Sequence, residues 1–149
     1  MRTSLKDHLL GTWQLESFYL QREAAEPIYW WGHDVVGRIT FDEAGRFAAQ
    51  VGRRDRQPLK SEQLVEVTPD EAREAFLGYL AYFGTYAVDE EEGTFTTRVE
   101  GSLVPNWTGT EQKRWATVDG DRAVFTASAV PSAMGALTPT LAWRRLSHS

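Results

Sequence analysis

Short alternating segments broken by turn residues dominate this chain, and they confine it to an antiparallel β architecture. Past residue 81 the segments 82–88, 94–101, 110–118, 121–127 and 138–146 all read as strands. Residues 89–93, Asp119-Gly120 and 128–137 separate them. An Asp-Gly pair between alternating runs is a strong short-range hairpin signal. Upstream, 35–41 and 46–51 form a further hairpin around Asp42-Glu43-Ala44-Gly45, whose glycine suits a loop of that length. The first strand covers 13–20, with Trp13, Leu15, Ser17 and Tyr19 on one face and Gln14, Glu16 and Phe18 on the other. Residues 21–34 read as a loop with an apolar middle. Two helices complete the set. One covers 4–10 behind a Ser4 cap; the other starts at Thr68-Pro69-Asp70-Glu71 and runs to about Tyr79, with Ala72, Ala75, Phe76 and Tyr79 as its buried stripe. About eight strands joined mostly by short turns predict an all-β fold, an up-and-down antiparallel barrel or a closely related sandwich. Closure removes two unpaired sheet edges. An eight-stranded barrel is either just filled by side chains or holds one small ligand.

The 149 residues fit one domain spanning 1–149. A formal charge of −5 and the lack of a basic tract argue against nucleic acid, where phosphate neutralisation supplies most of the affinity. The chain has no cysteine, which excludes disulfides, thiolate metal sites and a cysteine nucleophile. No segment reaches the roughly 20 apolar residues of a membrane span, and the N-terminus lacks a signal-peptide core, so the expected location is the cytoplasm. Six tryptophans, five tyrosines and seven phenylalanines either fill a core or line a ligand cavity. The three histidines, His8, His33 and His148, are not spaced as a metal-ligand set, and no cofactor is expected. The expected partner is a small molecule; a homodimer is compatible with the sequence but leaves no mark in it.

Gly11-Thr12-Trp13 on the first strand and Trp143-Arg144-Arg145 on the last resemble the lipocalin pattern. That pattern packs a Gly-x-Trp tryptophan at the closed end of the barrel, under an arginine from the final strand. GRITFDEAGRFAAQV (37–51), AYFGTYAVD (81–89), VEGSLVPNWTGTEQKR (99–114) and LAWRRL (141–146) resemble the bacterial and fungal lipocalin-like domain family over nearly the whole chain. The resemblance implies a compact barrel. Some lipocalin-type barrels bind small apolar molecules, and some relatives catalyse cyclisations or isomerisations in secondary metabolism. Thr96-Thr97-Arg98-Val99 lacks a histidine frequent in the family at that strand, so no imidazole role carries over there.

The connection 100–114, EGSLVPNWTGTEQKR, spends a proline and a tryptophan where a polar turn would serve. On 94–101, Phe95, Thr97 and Val99 share a face opposite Thr96, Arg98 and Glu100. On 110–118, Gln112, Arg114, Ala116 and Val118 share a face opposite Lys113 and Trp115. Antiparallel pairing could therefore gather Arg98, Glu100, Gln112 and Arg114 into one polar cluster. The cluster is either a solvated ion pair or an inward-facing group that holds the carboxylate or enolate oxygen of a ligand. Pro105 and Asn106 stiffen the turn, and Trp107 is expected to close one end of the barrel.

Trp13, Tyr86, Trp107 and Trp143 are expected to shape a cavity or its ends. Tyr82 and Tyr86 share a strand face and could offer hydroxyls to a ligand. The leading function is therefore a cofactor-free barrel binding one small, mainly apolar molecule with an anionic or carbonyl group. The alternative is an isomerase, cyclase or dehydratase acting on a polyketide-like or terpenoid substrate. In it Glu100, or the His33-Asp34 pair in a loop able to cover the barrel mouth, would move a proton. A third reading is a solid barrel serving as a structural module.

Overall fold

Eight strands run in sequence order around a closed barrel, each antiparallel to its neighbours, and the last pairs with the first. The computed structural model describes residues 4–147. Helix α1 (Leu5–Leu9) precedes β1 (Gly11–Arg22), β2 (Val35–Phe41) and β3 (Arg46–Arg53). A 3-10 turn (Leu64–Glu66) and α2 (Pro69–Leu77) lead to β4 (Tyr79–Asp89) and β5 (Thr94–Ser102). A second 3-10 turn (Pro105–Trp107) leads to β6 (Glu111–Asp119), β7 (Arg122–Thr126) and β8 (Leu137–Ser147). The eight-stranded up-and-down barrel read from the sequence is the observed fold. His148 lies outside the described residues. Among the described residues no helix is long and apolar enough to cross a membrane.

One end of the barrel is sealed by its own sequence. Ser4 and Asp7 form a capping box on α1, and the Glu90 carboxylate accepts the backbone N–H groups of Leu5 (2.7 Å) and Lys6 (3.2 Å). Glu90, in the turn between β4 and β5, thus supplies the acceptor that the helix terminus lacks. Leu9 of this helix and Trp13 of β1 are fully buried. Trp13 Nε1 donates to the Leu9 carbonyl at 2.9 Å, and the Arg145 guanidinium lies 4.2 Å from the Trp13 ring. Arg145 also donates to the carbonyls of His8 (2.6 Å) and Leu10 (3.0 Å), which the short helix leaves without intrahelical donors. Phe41, Phe95 and Phe125 pack edge to face above this plug at 5.0–6.0 Å.

Two local features depart from simple alternation. A bulge in β1 between Leu15 and Ser17 inverts the faces beyond it. Phe18, read as opposite to Trp13, therefore points inward, while Tyr19 packs against Tyr29 of the following loop at 5.5 Å. Helix α2 is also shorter than expected. Its chain passes through Gly78 into β4 at Tyr79, and Ala72 and Phe76 of the predicted buried stripe stay exposed. Such a short helix at the rim has no second layer to bury against.

Candidate functional site

The barrel is hollow toward its other end. A cavity of ≈ 290 Å³ opens among the upper strands and the loops that cover them. This lies at the low end of the roughly 300–1,000 Å³ of small-molecule sites. Phe95 of β5, Phe125 of β7 and Trp143 of β8 form its floor, all nearly inaccessible. Ile39, Ala49 and Val51 of β2 and β3 supply one wall, and Leu141 and Pro139 of β8 another. Phe18 and Leu20 reach it because of the β1 bulge.

Loops complete the mouth. Leu20 and Ile28 pair through two backbone hydrogen bonds, which folds the 23–34 loop back over β1. That brings Trp30 and Trp31 to the cavity. Trp31 Nε1 donates to the Leu77 carbonyl at the end of α2 (2.9 Å), tying the two covering segments together. Trp107 comes from the opposite rim and meets Tyr82 edge to face at 5.3 Å. Trp30 and Trp31 were not among the expected site residues. The apolar run inside a polar loop was the signal that could have marked them.

Arg114 is the charged side chain lining this cavity among the described residues. Its backbone is paired with Phe95, so the two side chains share the inner face. Nη2 donates to Gln112 Oε1 at 2.8 Å and Nη1 to the Lys113 carbonyl at 3.0 Å. No carboxylate is within ion-pairing distance of it among the described residues. The Tyr82 phenol lies beside it. Burial pushes the Tyr82 hydroxyl pKa up, and the neighbouring guanidinium pulls it back only in part.

The predicted four-residue cluster does not form, and the reason is register. Phe95 pairs with Arg114, Thr97 with Gln112 and Arg98 with Glu111. That is one residue away from the pairing that would put Arg98 and Glu100 on Arg114's face. Arg98 and Glu100 point outward and are exposed. Matching the apolar faces would have revealed this, because Phe95 and Val99 belong with Ala116 and Val118. The other candidates are equally placed. Trp13 lies in the closed-end plug, and Asn106 is exposed on its turn. Tyr86 lies below the cavity, where its hydroxyl donates to the Asp42 carbonyl at 2.7 Å. His33 stacks on Tyr29 with its ring centroid 4.0 Å away, and Asp34 accepts from Arg54 at 2.9 Å; both are exposed. His33 and Asp34 therefore do not meet in the cavity: Gly32, at φ +77°, turns the chain outward just before them.

The two tyrosines set an alkaline limit. Burial raises the Tyr86 pKa to about 12, and Tyr82 moves in the same direction. The unfolded chain loses these protons near pH ~10. Stability from both groups is therefore fully present below pH ~10 and disappears as pH rises through the folded-state values. Urea unfolding across pH 8–12 is expected to show this decline, and Tyr86→Phe should make it shallower. An unchanged slope in Tyr86→Phe would contradict the assignment.

The family model for a lipocalin-like domain matches residues 10–146. A search of curated proteins found no match.

Proposed function

The chain belongs to the lipocalin-like domain family, and from that premise we propose that it binds one small, mainly apolar molecule bearing an anionic or carbonyl group inside the barrel. The observation that carries this reading is the inward-facing Arg114 in an otherwise apolar, aromatic-lined cavity of ≈ 290 Å³. Filling that cavity with apolar surface is favourable, at about 25 cal/mol for each Å² withdrawn from water. A guanidinium held in such a place orients whatever polar end the molecule carries. The cysteine-free composition fits a reducing compartment and supports placing this carrier in the cytoplasm.

The enzyme alternative has less support. Glu100, His33 and Asp34 are all outside the cavity, and no carboxylate or imidazole lines it among the described residues. A proton-moving role inside would fall to Tyr82 alone.

Intrinsic fluorescence tests the binding reading, because four of the six tryptophans (Trp30, Trp31, Trp107 and Trp143) line the cavity. A panel of two- and three-ring aromatic compounds is expected to contain members that change the emission saturably at one-to-one stoichiometry. A flat response across the panel would contradict the proposal.

A further inference from the structure

We infer that the molecule held in the barrel is a planar aromatic monocarboxylic acid, bound as its anion with the carboxylate between the Arg114 guanidinium and the Tyr82 hydroxyl. The inference rests on the cavity-binding reading and deepens it.

Charge balance comes first. Arg114 presents a permanent cation to an apolar space and has no acidic partner there. Glu111, three positions away on β6, is exposed on the other face. Arg114 is half-buried, so its guanidinium is only partly solvated on the cavity wall, and a ligand carboxylate would supply the counter-charge that a neutral carbonyl does not. With one cation in the cavity, a second negative charge would itself be left unpaired.

Hydrogen-bond capacity points the same way. A guanidinium has five N–H donors. Gln112 and the Lys113 carbonyl take two of them, which leaves three. A guanidinium accepts nothing, so in any hydrogen bond between it and Tyr82 the arginine donates and the phenolic proton stays free for a third party. The site thus presents N–H and O–H donors to the ligand and no acceptor of comparable strength. A two-oxygen anion fits such a set; an amine or ammonium does not.

The walls set the body of the molecule. Phe95 and Phe125 pack edge to face at 5.0 Å, Tyr82 and Trp107 at 5.3 Å, and Phe18 against Trp31 at 5.1 Å. These arrangements leave ring faces and edges available to a flat aromatic guest, which gains quadrupolar contacts that an alkyl chain lacks.

Calorimetry on the intact chain separates the possibilities with four probes: 2-naphthoic acid, its methyl ester, 2-naphthylmethylamine and decanoic acid. The acid is expected to bind at least tenfold more tightly than the ester, and the amine at least tenfold more weakly than the ester. Decanoic acid should bind at least fivefold more weakly than 2-naphthoic acid. In Arg114→Gln the acid-to-ester ratio should fall to within twofold while the ester keeps its affinity. In Tyr82→Phe the acid should lose severalfold and the ester little. Equal binding of acid and ester by the unmodified protein overturns the carboxylate assignment and leaves the cavity reading standing, with no reliance on a variant that must fold. Equal binding of decanoic and naphthoic acids overturns the aromatic part. Binding of none of the four removes the cavity reading and this inference with it.

Discussion

Trp13→Ala is expected to cost more stability than any substitution at the barrel's mouth. The indole is fully buried, and its removal leaves a void under α1 that the rigid barrel cannot collapse to fill. Large-to-small changes of this kind cost ~3–5 kcal/mol. Two further losses add to that. The Leu9 carbonyl loses its donor, and the Arg145 guanidinium loses the ring it lies against. For a chain of this size the melting temperature should drop on the order of 10 °C. Trp107→Ala is the control, since Trp107 is half-exposed and borders open cavity rather than close-packed core. It should cost about 1–2 kcal/mol at most. Equal losses for the two variants in urea titrations would contradict the division into a packed closed end and a hollow mouth.

Ala49→Phe is expected to do the opposite, abolishing binding while sparing the fold. Ala49 is nearly inaccessible, lines the cavity and pairs directly with Tyr82 across β3 and β4. Directly opposed residues of an antiparallel pair point to the same face. A phenyl ring there grows into the space beside the Tyr82 phenol. In a solid core such a change costs ~1–3 kcal/mol through strain. In a cavity the added ring gains contacts instead, so the melting temperature should hold or rise. Binding of 2-naphthoic acid should be lost, because the new side chain takes the ligand's volume. A folded variant that still binds at the original affinity would place the ligand elsewhere. A strongly destabilised one would indicate that the interior is already filled.

These two positions also mark what the sequence discloses. Gly11-Thr12-Trp13 and Trp143-Arg144-Arg145 mark the closed end through their resemblance to the lipocalin pattern, and the structure brings Arg145 onto the Trp13 ring where β1 and β8 pair. The strand alternation is equally legible: Phe95, Thr97 and Val99 do share one face of β5, and Gln112 and Arg114 one face of β6. What alternation cannot provide is the offset between strands. The 3-10 turn at Pro105–Trp107 fixes the β5–β6 register, and a slip of one residue separates Arg114 from Arg98 and Glu100. The β1 bulge hides Phe18 and Leu20 in the same way, since one extra residue inverts every face beyond it. Gly84 adds a third such constraint. A Cβ there would come within 1.9 Å of the Arg98 carbonyl oxygen, so the close approach of β4 and β5 at their irregularity requires glycine. The covering residues Trp30 and Trp31 come from a loop, where no periodicity exists to read, and Leu77 ends the short helix α2.

A crystal structure of the protein with 6-bromo-2-naphthoic acid tests the central claim most directly. The bromine's anomalous peak is expected inside the barrel above Phe95 and Phe125, with the carboxylate on Arg114 and Tyr82. A peak on the outer surface, or an interior with no room between those side chains, would contradict it.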